Sequence, residues 1–316
     1  MLYFAAFALA CLTVLLLTPI FSKIAHKIDY TDKPTERKKH AAPIPLVGGV
    51  VMFIAFSAGF IIFVASNDLK MLSVVAGAAM LIGIGLIDDY FKTKQKEFPV
   101  LPRVAVYLAV AAITFAAGIR FTGFHIPFAG EYCIFPLWLQ FAITSLWIFG
   151  LITVANWMDG LDGLSGSLCA LSGITLFIVA VFMGQSDSAF IAVILVGSTL
   201  GFLRYNLYPA KVYMGDSGAN LLGYLLGVIS LYGAFKQATL VSLAIPVLAM
   251  GVPIFDSIFV AVKRLVSRKP AHKGDHTHIH FRLTDAGLKP VQAVAFIVLI
   301  SVCLNLASII ILLVME

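Results

Sequence analysis

Four groups of polar residues in this chain have types and spacings that could do chemistry. Asp88 and Asp89 stand side by side in GLIDDYFK, and Asn156, Asp159 and Asp162 recur at intervals of three in NWMDGLDGLSG. Asp216 lies in VYMGDSGAN, while His272, His276, His278 and His280 fall in AHKGDHTHIHFRL. Adjacent carboxylates repel each other unless a lysine or a cation lies between them. A hard divalent ion with oxygen ligands is one solution, and a solvated pair marking a helix end is the alternative. Spacing by three places Asn156, Asp159 and Asp162 near one another on a helix. Asp216 before Ser217 and Gly218 reads either as a helix N-cap or as part of an anion site at a helix start, which a bridging metal would let a phosphate share. The alternating histidines suit one face of a strand or extended loop. With Asp275 they invite a zinc reading, whereas the clustered Lys and Arg favour an anionic ligand such as a nucleotide diphosphate. For Arg268, Lys269 and Lys273, attraction to anionic lipid is the better reading. Asp256 in PIFDSIF serves a helix–helix hydrogen bond, a pairing with the basic helix end, or catalysis.

The elements that must position these groups are membrane helices. Of the 316 residues, 60% are hydrophobic and only 12% charged, with a mean hydropathy of +0.99. A soluble domain of this size could not cover such a core with so little polar surface, and disorder is excluded by the same composition. Runs apolar enough to span hydrocarbon fall at about 2–25, 46–66, 71–87, 100–119, 137–155, 164–183, 188–204, 218–235, 239–263 and 291–315. The expectation is an all-α polytopic membrane protein of about ten helices. The first helix reads as retained, because its positive charges, Lys23 and Lys27, follow the apolar run.

The loops divide by charge. Nineteen of the 22 Lys and Arg residues lie on one side, and only Lys70, Arg120 and Lys236 lie on the other. The positive-inside rule then places both termini outside and the acidic groups at cytoplasmic helix ends. The cytoplasmic loops are about 26–45, 88–99, 156–163, 204–217 and 264–290. The net charge of +6 is a topology signal and no argument for nucleic acid. On the outer side, 120–136 alternates in a way that suits a hairpin around Ala129 and Gly130. The four cysteines lack metal spacing and read as small apolar residues.

Taken in order, these strings resemble the polyprenyl-phosphate N-acetylhexosamine-1-phosphate transferase family (glycosyltransferase family 4). The resemblance covers nearly the whole chain. DKPTERKKHAAPIPLVGG, from Asp32 to Gly49, is similar to a family signature, and IDDYF, NWMDGLDGL, FLRYNLYPAKVYMGDSG and a final HxH follow in sequence. The resemblance implies one membrane domain over 1–316 in the bacterial inner membrane, with a cytoplasmic active site. It also implies transfer of sugar 1-phosphate from a UDP-N-acetylhexosamine to undecaprenyl or another polyprenyl phosphate, with Mg²⁺ (or Mn²⁺) and release of UMP. The downstream product would be a cell-envelope polymer such as teichoic acid or lipopolysaccharide O-antigen, and a homodimer is an assembly the resemblance allows.

By motif position the implied catalytic residues are Asp88, Asp89, Asp159, Asp162 and His278. Lys92, Asn156, Asn206, Arg37, His40, His280 and Arg282 are the implied substrate contacts, and Asp216 the metal ligand. One departure stands out: relatives commonly read HxHH, and here Phe281 fills the last place, so a third histidine role is either absent or moved to His276. The strings of the UDP-MurNAc-pentapeptide branch are missing, which leaves the GlcNAc-1-phosphate branch closer. A transporter is the rival from another class, but its polar groups would sit near the bilayer midplane with internal repeats. The spacings of membrane prenyltransferases and CDP-alcohol phosphotransferases are not met.

Overall fold

A computed structural model describes residues 1–34, 42–64, 69–125, 132–232, 244–267 and 277–314. The protein is nearly all-α. Its helices are α1 (Leu2–Lys27), α2 (Gly48–Phe63), α3 (Leu69–Thr93), α4 (Val100–Ala116), α5 (Leu137–Trp157), α6 (Leu164–Phe182), α7 (Ser186–Asn206), α8 (Gly215–Tyr232), α9 (Ala244–Ala249), α10 (Gly251–Val266), α11 (Ile279–Asp285) and α12 (Pro290–Val314). Among the described residues, α1, α3, α5, α6, α7 and α12 are long and apolar enough to cross a membrane, and α2 and α4 are shorter apolar helices.

Helix α8 is the axis of the bundle. Every residue from Gly215 to Leu231 is buried, and α8 packs against α2, α3, α5, α6 and α7. In lipid, helices associate through close packing rather than a hydrophobic drive, so small residues mark the contacts. A Cβ at Gly223 would strike the Leu151 carbonyl of α5, and one at Gly85 would strike the Ser217 backbone. The second approach brings the acidic end of α3 onto the start of α8. On the periphery, Leu12, Leu16, Leu146 and Leu306 are exposed, as suits lipid-facing positions.

The ninth apolar run, read as one helix over 239–263, is broken at Met250 into α9 and α10. Its first residues, 239–243, lie outside the described residues. Pro253 has no N–H to return to the Ala249 carbonyl, so the helical ladder is interrupted there. Two short antiparallel pairs complete the fold. Strands β1 (Thr31–Asp32) and β2 (Ile44–Pro45) pair beside the helix ends, and β3 (Gly123–His125) pairs with β4 (Tyr132–Ile134). The latter pair is the expected hairpin, and its turn lies outside the described residues.

Candidate active site

The acidic groups meet where α3 ends and α8 begins. Helix α3 runs past its apolar stretch to Thr93, so Asp88 and Asp89 lie within its last turns and are 3% and 0% exposed. This excludes a solvated pair. The Asp89 carboxylate sits on the N-terminus of α8. Its Oδ1 accepts the Asp216 N–H at 2.8 Å, and its Oδ2 accepts the Ser217 N–H at 3.2 Å and the Ser217 hydroxyl at 3.0 Å. The first-turn N–H groups of a helix need such partners, and its dipole favours a negative charge. The N-cap reading of Asp216 is therefore replaced. Asp89, from another helix, covers the α8 start, and the Asp216 side chain is left for other work.

That side chain faces cations. Lys92, one turn beyond Asp89, pairs with Asp216 and lies 4.0 Å from Asp89. Arg103 of α4 donates through Nη1 to Asp88 at 2.8 Å and lies 3.8 Å from Asp216. The Asp88 and Asn156 side chains lie near the Asp216 carboxylate. Asn156, in the last turn of α5, donates to Asn220 Oδ1 at 3.4 Å, an oxygen that also accepts the Tyr107 hydroxyl at 2.8 Å.

Asn156, Asp159 and Asp162 do not share one helix face, because α5 stops at Trp157. Asp159 follows in a turn, its N–H on the Asn156 carbonyl at 3.2 Å. Burial pushes the Asp159 carboxyl up to about 7, with the Asp216 charge adding and Lys92 opposing. Asp162 turns away to accept the Ala210 N–H at 2.9 Å. Asn206 is buried with both ends of its amide on backbone: Oδ1 accepts the Gly163 N–H at 3.1 Å and Nδ2 donates to the Val212 carbonyl at 3.0 Å. Asp162 and Asn206 thus fasten the 156–163 and 207–212 loops together.

The histidines approach from the C-terminal side. Their alternation does not mark a strand, since His278 is extended but α11 starts at Ile279 and takes in His280. The two rings still stack, with centroids 5.7 Å apart and planes 7° from parallel. Asp256 of α10 holds His278, with Oδ2 2.7 Å from its Nδ1, while Oδ1 accepts the Ile279 N–H at 2.8 Å. His278 packs on Trp157 with centroids 5.6 Å apart, so α11 and the acidic loop adjoin. Arg282 is exposed, its guanidinium 4.8 Å from the centre of the Phe259 ring. Arg37, His40, His272 and His276 lie outside the described residues.

The sequence pattern described as Glycosyl transferase family 4 matches residues 71–234. Over 306 residues the chain is 36% identical to a probable undecaprenyl-phosphate N-acetylglucosaminyl 1-phosphate transferase of Bacillus subtilis (strain 168), covering 96% of this chain and 84% of that protein. The chain belongs to glycosyl transferase family 4. Undecaprenyl-phosphate alpha-N-acetylglucosaminyl 1-phosphate transferases of Thermotoga maritima and Escherichia coli (strain K12) are 31% and 28% identical to it. The first alignment covers 84% of this chain and 76% of the relative, the second 91% and 79%.

One residue of this family 4 transferase escaped the sequence reading as a member of the site, and for another, Asp256, the sequence leaves a structural and a catalytic role open. Arg103 looked like a topology charge, although a lone cation in the first turn of an otherwise apolar helix is itself a signal. Asp256 carried no cue to its partner, which lies 22 residues away.

The site's oxygens suit a hard cation. Asp88, Asp89, Asp159 and Asp216 outnumber Lys92 and Arg103 by four charges to two when all are ionised. The Asp88 and Asp216 carboxylates converge on the same Arg103 guanidinium, at 2.8 and 3.8 Å, and a cation between them would relieve their repulsion. Among the described residues no three His, Cys, Asp or Glu side chains form a cage for a metal. Mg²⁺ needs only one or two carboxylates when substrate phosphates complete its shell.

Gly160 gives one test of how the halves of the site meet. A Cβ there would overlap the His280 imidazole. Gly160→Ala is expected to lower kcat/KM about tenfold by shifting the ring, and to lower the thermal unfolding temperature modestly, because the displaced His280 is fully buried. Wild-type kinetics in that variant would show that the contact is not needed.

Proposed function

We propose that this protein transfers N-acetylglucosamine 1-phosphate from UDP-GlcNAc to undecaprenyl or another polyprenyl phosphate, releasing UMP, as a first membrane step toward a cell-envelope polysaccharide. The observation that carries the reading is the cluster of buried carboxylates, Lys92 and Arg103 at the start of α8, in a chain similar along most of its length to transferases named for this activity. The ends of apolar helices are where a lipid phosphate and a water-soluble nucleotide can meet.

The chemistry divides among the chain's own groups. Lys92 and Arg103 are placed to attract two anionic substrates that otherwise repel each other. Asp159, titrating near neutrality, and Asp88 are the carboxyls available to orient or deprotonate the lipid phosphate as it attacks the sugar-bearing phosphorus. Asp216, with Asp88 near it, would hold Mg²⁺, for which Mn²⁺ could substitute. Bound there, the ion would supply charge neutralisation to the donor diphosphate. His278, held by Asp256, faces the acidic loop from the other side and is assigned to the nucleotide diphosphate with His280. Replacing His278 by alanine is expected to lower kcat/KM by about 100-fold while folding stays intact. Near-normal turnover would remove it from the site.

The reading includes ten spans forming one domain in the bacterial plasma membrane, both termini outside and the site facing the cytoplasm. Its support is the division of Lys and Arg between loops. In a cysteine-free background, Lys94→Cys is expected to react with an impermeant thiol reagent only from the cytoplasmic side, and Lys70→Cys only from outside. The reverse pattern would overturn the topology. For the activity itself, protein supplied with Mg²⁺, polyprenyl phosphate and a panel of UDP-sugars should form a lipid-linked product with UDP-GlcNAc, read by mass. Product with UDP-MurNAc-pentapeptide alone would move the chain to the peptidoglycan branch.

A further inference from the structure

The break in the ninth apolar run is held by its neighbours. In an unbroken helix the Ala249 carbonyl would accept the N–H of residue 253, but Pro253 has none. The freed carbonyl instead accepts the Ser172 hydroxyl of α6 at 2.7 Å and the Asn305 amide of α12 at 3.2 Å. Asn305 is buried, and its remaining capacity is used as well. Its Nδ2 donates to the Ser301 carbonyl at 2.8 Å, and its Oδ1 accepts the Thr175 hydroxyl of α6 at 2.6 Å. A buried amide within an apolar helix is costly unless satisfied, and such groups usually serve function.

One donor would suffice to satisfy the carbonyl. Donors from two helices also fix the direction in which the chain leaves it. Helix α10 departs from this joint and carries Asp256 two turns beyond Ala249, where Asp256 holds His278 and the first N–H of α11. Helix α6, which supplies Ser172, begins at Leu164 directly after the acidic loop. Met158, Leu164 and Leu168 pack with Val252 of α10 and Ile297 of α12 in one apolar cluster. The joint therefore ties together the two elements that carry the acidic loop and the histidine.

We infer that the Ser172–Ala249–Asn305 joint aims α10 and thereby sets His278 against the acidic cluster, which makes Asn305 a positioning residue for sugar-phosphate transfer. The inference rests on the proposed function. It predicts that Asn305 acts through Asp256, which a purely structural role would not require.

The test is a double-variant cycle on the full-length protein, assayed with UDP-GlcNAc and polyprenyl phosphate. Asn305→Leu is expected to lower kcat at least about tenfold, and to cost less than about twofold more when Asp256→Asn is already present. Wild-type turnover in Asn305→Leu, or losses that multiply in the double variant, would overturn the inference. Should Asn305→Leu fail to accumulate, Ser172→Ala removes the other donor more gently. A loss of about threefold that disappears beside Asp256→Asn is expected, and an unchanged or multiplying loss overturns the inference. A wild-type protein that forms no lipid-linked product with any UDP-sugar would instead overturn the proposed function, and this inference with it.

Discussion

Asp216→Asn is expected to lower turnover by about 1,000-fold or more, as loss of a charge that acts on the transition state does. Thermal unfolding should stay within about 2 °C of wild type, a shift below roughly 1 kcal/mol. The two halves of this result come from different residues. The α8 start is covered by Asp89, so the neutral side chain at 216 leaves those hydrogen bonds in place. Lys92 and Arg103 lose one partner but keep Asp89 and Asp88 within reach. Removing one of several mutually repelling carboxylates offsets part of that loss. What disappears is the charge we propose as the Mg²⁺ ligand, so on that proposal the dependence of any residual activity on Mg²⁺ should weaken. Retained turnover with the wild-type Mg²⁺ titration would move the ion to Asp88 and Asp89.

Asp89→Asn should behave differently, although the change is chemically the same. The amide keeps one acceptor oxygen, but Asp89 uses two, on three donors. Its new NH₂ would face a backbone N–H or the Ser217 hydroxyl. A lost cap costs about 1–2 kcal/mol, and a buried donor left unpaired costs about 1–3 more. Unfolding is therefore expected at least about 5 °C lower, together with loss of turnover as the start of α8 and Asp216 shift. Calorimetry or fluorescence-detected melting of both variants checks the contrast. Equal melting temperatures for Asp89→Asn and wild type would mean that Asp89 does not hold the helix start.

Much of this arrangement was legible in the sequence, and the parts that were not have physical reasons. Apolar runs gave the helices because lipid demands continuous hydrophobic length, and alternation gave the β3–β4 pair. The run of α3 ended too early on paper. Charged residues commonly mark a helix end, whereas here Asp88 and Asp89 continue the helix, buried against α4 and α8, and Lys92 extends it half-buried toward Asp216. No local pattern says which carboxylate will cover a helix start, and the one that does lies 127 residues from the group it binds. Equal spacing suggested a common role for Asn156, Asp159 and Asp162, but the end of α5 at Trp157 sends Asp162 to a neighbouring loop. The break at Met250 was hidden by continuous hydrophobicity, although Pro246, Gly251 and Pro253 marked it. Arg103 and Asp256 went unassigned because their partners come from other helices.

The central claim is that a sugar phosphate, and not a bare sugar, moves onto the lipid. UDP-GlcNAc labelled with ³²P at the β-phosphorus decides it. Incubated with the purified protein, Mg²⁺ and polyprenyl phosphate, the label should enter the lipid phase, with one UMP released for each label transferred. Label remaining in water as UDP while sugar enters the lipid would contradict the account, as would label remaining in intact UDP-GlcNAc with no UMP formed.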